Sequence, residues 1–382
     1  MKSASKGGPR RIGRWLVAVV GVLLCLEVGL RIVFAIPRFR ETLSVNDDAS
    51  WRRRWAARHA EKDVAIYHSF DRFDPRLGWS TQPDLRDIRV FGDKFLNTNH
   101  RGLRGTREYD YERAERPRIV VLGDSFTFGE EVSDDETYPH YLQAMLPRAD
   151  VINLGVHGYG NDQMLVLLRE EGLKYRPDVV LLGFVVADVD RNVLGFRDYA
   201  KPRFAVENGS LVLASDNPLP SPDEVLRWDW LRPRVLDALS MIAVEARTRS
   251  GERQEEEAEV TRRILEEIVR EVVRAGAVPV LAYLPYGAEL LSREEVTPGE
   301  AFLFSICESS PDARCFSTRP FFRKKIAAGM AIRSPFHWDP AGHRTAAEAI
   351  LDFLVRKQRL ISPSGPAARP AAPGAQTSDA TP

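Results

Sequence analysis

Four short apolar runs constrain this chain more than any other feature. They are "RIVVLGDS" ending at Ser125, "DVINLG" at 150–155, "DVVLLGFVV" at 178–186 and "VPVLAYLP" at 278–285. Between them lie stretches with helical spacing. Tyr138, Tyr141, Leu142 and Met145 share one face of a helix predicted over 137–146, with Thr137 as its cap and Pro139 in its first turn. Met164, Leu165 and Leu168 mark a second helix, which Asn161 is placed to cap and which runs to about Tyr175 before Pro177. A third spans about 256–275, opening acidic and closing at Gly276. The last starts after Asp339-Pro340, with Asp339 as cap, and runs to about Lys357. Strands apolar on both faces, alternating with helices, predict an α/β protein: three layers, doubly wound, with a mostly parallel sheet.

The alternation is interrupted at 187–254. There "RFAVENGSLVLAS" reads as a hairpin around Asn208-Gly209, and 232–248 as a helix. This insertion is a candidate lid over one end of the sheet. After Leu360 a Pro/Ala/Ser-rich tail has too little apolar content to pack.

The N-terminus has a separate role. Lys2, Lys6, Arg10, Arg11 and Arg14 precede the 22 residues Trp15–Ile36, "WLVAVVGVLLCLEVGLRIVFAI". As a helix this run spans about 33 Å, enough to cross a bilayer. It is longer than the apolar region of a cleaved leader, and no Ala-x-Ala follows closely. The expectation is a transmembrane signal anchor with the bulk of the chain extracytoplasmic, since more basic residues precede the span than closely follow it. Glu27 and Arg31 lie four apart inside it and can neutralise each other, or one of them can meet another membrane protein. "WRRRW" at 51–55 is either a headgroup contact or a solvated helix face. The organisation is therefore a basic tail (1–14), the span (15–36), a juxtamembrane segment (37–94), the α/β domain (95–358) and the tail (359–382).

Chemistry concentrates at the carboxyl ends of the strands, where open parallel sheets bind ligands. Gly123 permits the tight turn that lifts Ser125 out of its strand. "NLGVHGYG" closes the second strand with three glycines, and "SPFHWDPAGH" sets His337 just before the last helix. In this order and spacing, "GDSFTFG", "NLGVHGYG" and "HWDPAGH" resemble the three signature blocks of the SGNH (GDSL-like) hydrolases. The resemblance covers about residues 95–358, and with the anchor and "NTNHRGLRG" it points to a membrane-attached, exported branch that includes proteins near exopolysaccharide O-acetylation. It implies Ser125 as nucleophile, His337 as general base, and the Ser125 and Gly158 N–H groups as the oxyanion hole. His157 and Asp188 are candidate substrate contacts. His343 and Asp124 are read as structural.

Two positions depart from that pattern. The family's asparagine donor at the end of the third strand aligns with Ala187, which has no side-chain donor. One such donor is typically worth about 2.7–4 kcal/mol of transition-state stabilisation. The acid usually found two or three residues before the histidine is replaced by Pro335 and Ser334. Ser334, or a carboxylate such as Asp188, is left to orient the imidazole.

The expected function is a serine ester hydrolase acting on acyl, chiefly O-acetyl, esters of a small molecule or polysaccharide at the cell envelope. An O-acyltransferase for an exported polysaccharide and a non-catalytic glycan-binding or scaffold protein, with envelope proteins as candidate partners, are the alternatives. Charge is balanced, 54 basic against 54 acidic residues, and no nucleic-acid signature appears. No dinucleotide or phosphate loop follows a strand. No cofactor or metal is expected: there is no CxxC or His-rich cluster. Cys307 and Cys315 are free to form a disulfide in an exported protein.

Overall fold

A computed structural model describes residues 8–62, 68–112, 115–331 and 336–361. The chain divides into two compact units, one of residues 1–85, 158–167 and 187–267, the other of residues 86–157, 168–186 and 268–382.

The second unit holds a five-stranded parallel sheet. Its strands are β1 (Arg118–Leu122), β2 (Asp150–Asn153), β3 (Val179–Phe184), β4 (Val278–Tyr283) and β5 (Arg314–Ser317), in the order β5-β4-β3-β1-β2. Registers pair Val121 with Asn153, Leu122 with Leu182, and Phe184 with Tyr283. β1 and β3 are buried along their whole length, which is why their sequences do not alternate. The chain steps from β1 out to β2 and then crosses back past β1 to β3. This order reverses beside β1, so the carboxyl end of β1 is the switch point where such sheets take ligands. β5 escapes the sequence reading because "RCFS" is an edge strand, exposed or half-buried, with no apolar run to mark it. A disulfide between Cys307 and Cys315 ties it to the helix before it, Pro298–Ser309.

The predicted helices of this unit form with small shifts. The helix Tyr138–Met145 has Thr137 as its cap, its side chain accepting from the His140 N–H. The helix Pro340–Leu351 is capped by Asp339, which accepts from the Gly342 N–H. A π-helical turn, Asp352–Lys357, continues it to the predicted end.

The first unit opens with α1 (Gly8–Ala35), α2 (Pro37–Thr42) and α3 (Asp48–Lys62). Its insertion carries the hairpin Phe204–Glu207/Ser210–Leu213, with Asn208 and Gly209 both at positive φ, and α4 (Pro222–Asp229) and α5 (Arg234–Ser250). Trp55, Trp79, Tyr159 and Tyr199 form its aromatic core. "WRRRW" lies in α3 and is not a solvated face, since Trp55 is fully buried and Arg53 nearly so. Asn161 is the first residue of its helix rather than the cap: its side-chain oxygen accepts from Asn192, which removes it from the helix N-terminus. That helix ends at Glu170, and Gly172–Tyr175 is a 3-10 turn.

One described helix is long and apolar enough to cross a membrane, over Gly13–Ala35. Glu27 and Arg31 pair at 2.7 Å, as their spacing predicts. They also bind their own chain: Glu27 accepts from the Val235 N–H in the first turn of α5, and Arg31 donates to the Arg232 carbonyl.

Candidate active site

The site is built where β1 stops. Asp124 caps the short helix Ser125–Phe128 by accepting from the Phe126 N–H at 3.0 Å, the structural role expected for it. That cap turns the chain sharply and leaves the Ser125 hydroxyl at the strand end. Glycine is required at Gly123, where a Cβ would collide with the Thr127 side chain. It is required again at Gly155, where a Cβ would strike the Thr127-Phe128 backbone. The second strand end thus closes directly on the serine turn, and Asn153 fixes it by donating to the Thr127 carbonyl at 3.0 Å.

His337 reaches this turn from the far end of the sequence. Its Nε2 lies 2.9 Å from the Ser125 Oγ. Trp338 anchors the histidine segment, donating from Nε1 to the Pro285 carbonyl at 2.9 Å. Phe126 packs against both, with ring centroids 5.1 Å from His337 and 5.0 Å from Trp338. The imidazole therefore packs on the Phe126 ring, beside an anchored Trp338.

The carboxylate that sequence reasoning could not find is Glu131. Its Oε1 lies 3.3 Å from His337 Nδ1. An ionised carboxylate only accepts. Nδ1 therefore carries the hydrogen, and the Nε2 lone pair faces the serine hydroxyl. Serine, imidazole and carboxylate stand in line, an arrangement able to move a proton off the hydroxyl and to stabilise the resulting imidazolium. Glu130 adds a second carboxylate, 3.7 Å from Nε2. The signal for both was "GEEV", directly after the serine block. It is legible only once the chain is folded, because the pairing spans 206 positions.

A buried arginine sets the loop that carries Glu131. Arg104, from "NHRGLRG", donates to the Phe128 carbonyl at 2.7 Å, the Gly129 carbonyl at 2.5 Å and the Val132 carbonyl at 2.6 Å. It also pairs with Asp134 at 2.8 Å, and its guanidinium lies over the Phe128 ring. These bonds clamp Phe128–Asp134 and hold Glu131 in the left-handed region, at φ +68°.

The remaining predicted residues fall as follows. His157 is buried against Phe128, ring centroids 5.8 Å apart. His343 is fully buried, as its structural reading expects; its Nδ1 accepts from the Tyr138 N–H at 3.2 Å. Burial, with Arg104 and His337 nearby, lowers its pKa to about 3. Gly158 and Asp188 belong to the first unit. The Gly158 carbonyl accepts from Arg197, and Asp188 is buried with Arg191 donating to it at 2.7 Å. Ser334 and Pro335 lie outside the described residues. No group of three or more metal-ligating side chains is found among the described residues.

Several solved structures are similar to this chain. One is an α/β hydrolase enzyme from the metagenome of Lake Arreo, Spain, at 17% identity, covering 66% of this chain and 99% of its own, with a TM-score of 0.39. Another is a member of the lipolytic protein G-D-S-L family from Veillonella parvula, at 11% identity, covering 63% and 98%, with a TM-score of 0.38. A third is an acetylxylan esterase from Geobacillus stearothermophilus, at 16% identity, covering 63% and 94%, with a TM-score of 0.37. No curated protein matches the sequence. Residues 121–345, more than half of the chain and running from the end of β1 into the helix after His337, match the model of the GDSL-like lipase/acylhydrolase family, and the chain belongs to that family of ester hydrolases.

Proposed function

We propose that this protein is a membrane-anchored serine esterase that removes acyl groups, chiefly acetyl, from an exported or envelope polysaccharide. The single observation that carries catalysis is the line Glu131–His337–Ser125, with contacts of 3.3 and 2.9 Å. A binding module derived from a dead enzyme has no need of a carboxylate on the far nitrogen of its histidine.

In the first step the Ser125 Oγ attacks the ester carbonyl carbon as its proton passes to His337 Nε2. The carbonyl oxygen becomes an oxyanion, held by the Ser125 N–H and, by the family resemblance, the Gly158 N–H. The carbon–alkoxy bond then breaks, and the leaving alcohol takes the proton from Nε2. An acyl group now sits on Ser125. Water attacks it, its proton passing to Nε2, and the tetrahedral centre collapses to release the acid and restore the serine hydroxyl. Glu131 keeps Nδ1–H pointed away from the serine and offsets the imidazolium charge in both halves. With Ala187 in place of an asparagine, one oxyanion donor is missing, so a modest rate is expected.

The anchor reading rests on the 23-residue apolar helix Gly13–Ala35 and on the basic residues ahead of it. The acetyl preference rests on the family and on the envelope location that the anchor implies.

The test uses the full chain in nonionic detergent, with p-nitrophenyl acetate and acetylated xylan as substrates. Activity in wild type that falls by about a thousandfold or more in Ser125→Ala supports the reading. Equal rates in the two refute it. Acetyl transfer to added oligosaccharide, without release of acetate, replaces the esterase with a transferase using the same residues.

A further inference from the structure

Arginines crowd the outer end of α1. A cavity of about 290 Å³ lies there, within the first unit. Arg31 and Phe34 of α1, Arg40 of α2, Arg53 of α3, and Asp229 and Arg234 of the insertion line it. Four guanidinium groups thus face one carboxylate. Two are already paired: Arg234 with Asp229 at 2.5 Å, and Arg31 with Glu27 at 2.7 Å. The other two are not fully used. Arg53 is 5% exposed, yet its Nε and Nη1 have no hydrogen-bond acceptor among the described residues. Its nearest carboxylate, Asp237, is 4.0 Å from Nη1 and already serves Arg232 and Arg234. The Nε of Arg40 is likewise without an acceptor, with Glu41 3.6 Å away. Phe34 stacks under the Arg53 guanidinium at 4.1 Å and holds it in place.

Burying a guanidinium with free N–H groups is costly unless an anion completes it. Arg31, Phe34 and Ala35 lie within about 6 Å of the end of the helix that is long enough to span a bilayer. That is the depth of lipid phosphates. The helices forming the far wall, and the turn between them, expose Trp228, Trp230, Leu231, Leu236, Leu239 and Ile242 on the same unit. Tryptophan beside aliphatic residues suits the headgroup boundary. The volume has room for about ten waters, and so for a phosphate with its glycerol linker.

We propose that this cavity binds the phosphate of an anionic glycerophospholipid, with Arg53 and Arg40 as its principal ligands. The site rests on the reading of α1 as a membrane span. It ties the first unit to the lipid surface and fixes the unit's height above it.

The test uses the full chain in dodecyl maltoside, titrated with phosphatidylglycerol, phosphatidylcholine, glycerol 3-phosphate or inorganic phosphate. Bound lipid is read by native mass spectrometry and melting temperature in parallel. The expected result is preferential retention of phosphatidylglycerol with a raised melting temperature. Each of Arg40→Gln and Arg53→Gln should weaken that retention about fivefold while ester hydrolysis persists. Arg40 is on a short surface helix, so Arg40→Gln remains informative if Arg53→Gln fails to fold. Equal retention of the two lipids, or an unchanged preference in Arg40→Gln, overturns the proposal. An equal response to inorganic phosphate overturns the lipid as its source. Alkaline carbonate washing of membranes separates the two readings: release of the chain sinks the anchor, whereas retention without lipid preference sinks only the pocket.

Discussion

Replacing Glu131 by glutamine isolates the charge behind His337. Glutamine keeps an oxygen able to accept from Nδ1–H, so ring orientation is largely preserved while the negative charge is lost. At the observed 3.3 Å, a unit-charge pair is worth about 1.3 kcal/mol in water and about 5 kcal/mol at an effective dielectric of 20. The Glu131 side chain is 45% exposed, which places the interaction toward the watery limit. About 1–2 kcal/mol of imidazolium stabilisation follows, and kcat/KM should fall about 5–30-fold. That is far less than the roughly ten-thousandfold loss seen when a buried triad acid is replaced. The assay is p-nitrophenyl acetate hydrolysis by the full chain at fixed pH, comparing Glu131→Gln, Glu131→Ala and Glu130→Gln. Glu131→Ala, which also frees the ring, should be the weakest of the three. The reasoning is refuted if Glu131→Gln stays within twofold of wild type while Glu130→Gln loses more.

Two further outcomes follow from buried groups. His343 has its folded pKa lowered to about 3 by burial, so the unfolded chain binds its proton first on acidification. Stability should be intact above about pH 6.5 and erode as pH falls toward 3, by about 2 kcal/mol at pH 5, measured as denaturant midpoints across pH in wild type and His343→Gln. Arg104→Ala removes the side chain that bridges three loop carbonyls and Asp134; a loss of about 3–5 kcal/mol in stability is expected. Arg104→Lys keeps the charge but not the fork. It should retain more stability than the alanine variant yet lose activity with Glu131 displaced, as read by melting temperature beside kcat.

Features signalled by adjacent residues were legible in the sequence. An apolar run entering Gly-Asp-Ser announces both a buried strand and a hydroxyl set at its end, and Asp339-Pro340 announces the helix that follows His337. What stayed hidden depends on residues far apart in the chain. Glu131 looks like one of two ordinary acids in a turn until the fold sets it against a histidine 206 positions later. Glu27 and Arg31 look self-sufficient in sequence because their partners, Val235 and Arg232, lie about two hundred positions away. β5 carries no apolar run, since an edge strand in contact with solvent does not need one.

The seam between α1 and α5 decides where this protein can be cut. Glu27, Arg31 and Phe34 are parts of the first unit's packing as much as of an apolar helix. A truncation placed after Ile36, the natural choice for a water-soluble preparation, would strip the Val235 N–H and the Arg232 carbonyl of their partners and remove the ring beneath Arg53. A leader peptidase acting there would do the same damage in the cell. The better boundary for production lies within the helix, near Val22, with the outward-facing apolar residues Val28 and Ile32 exchanged for polar ones.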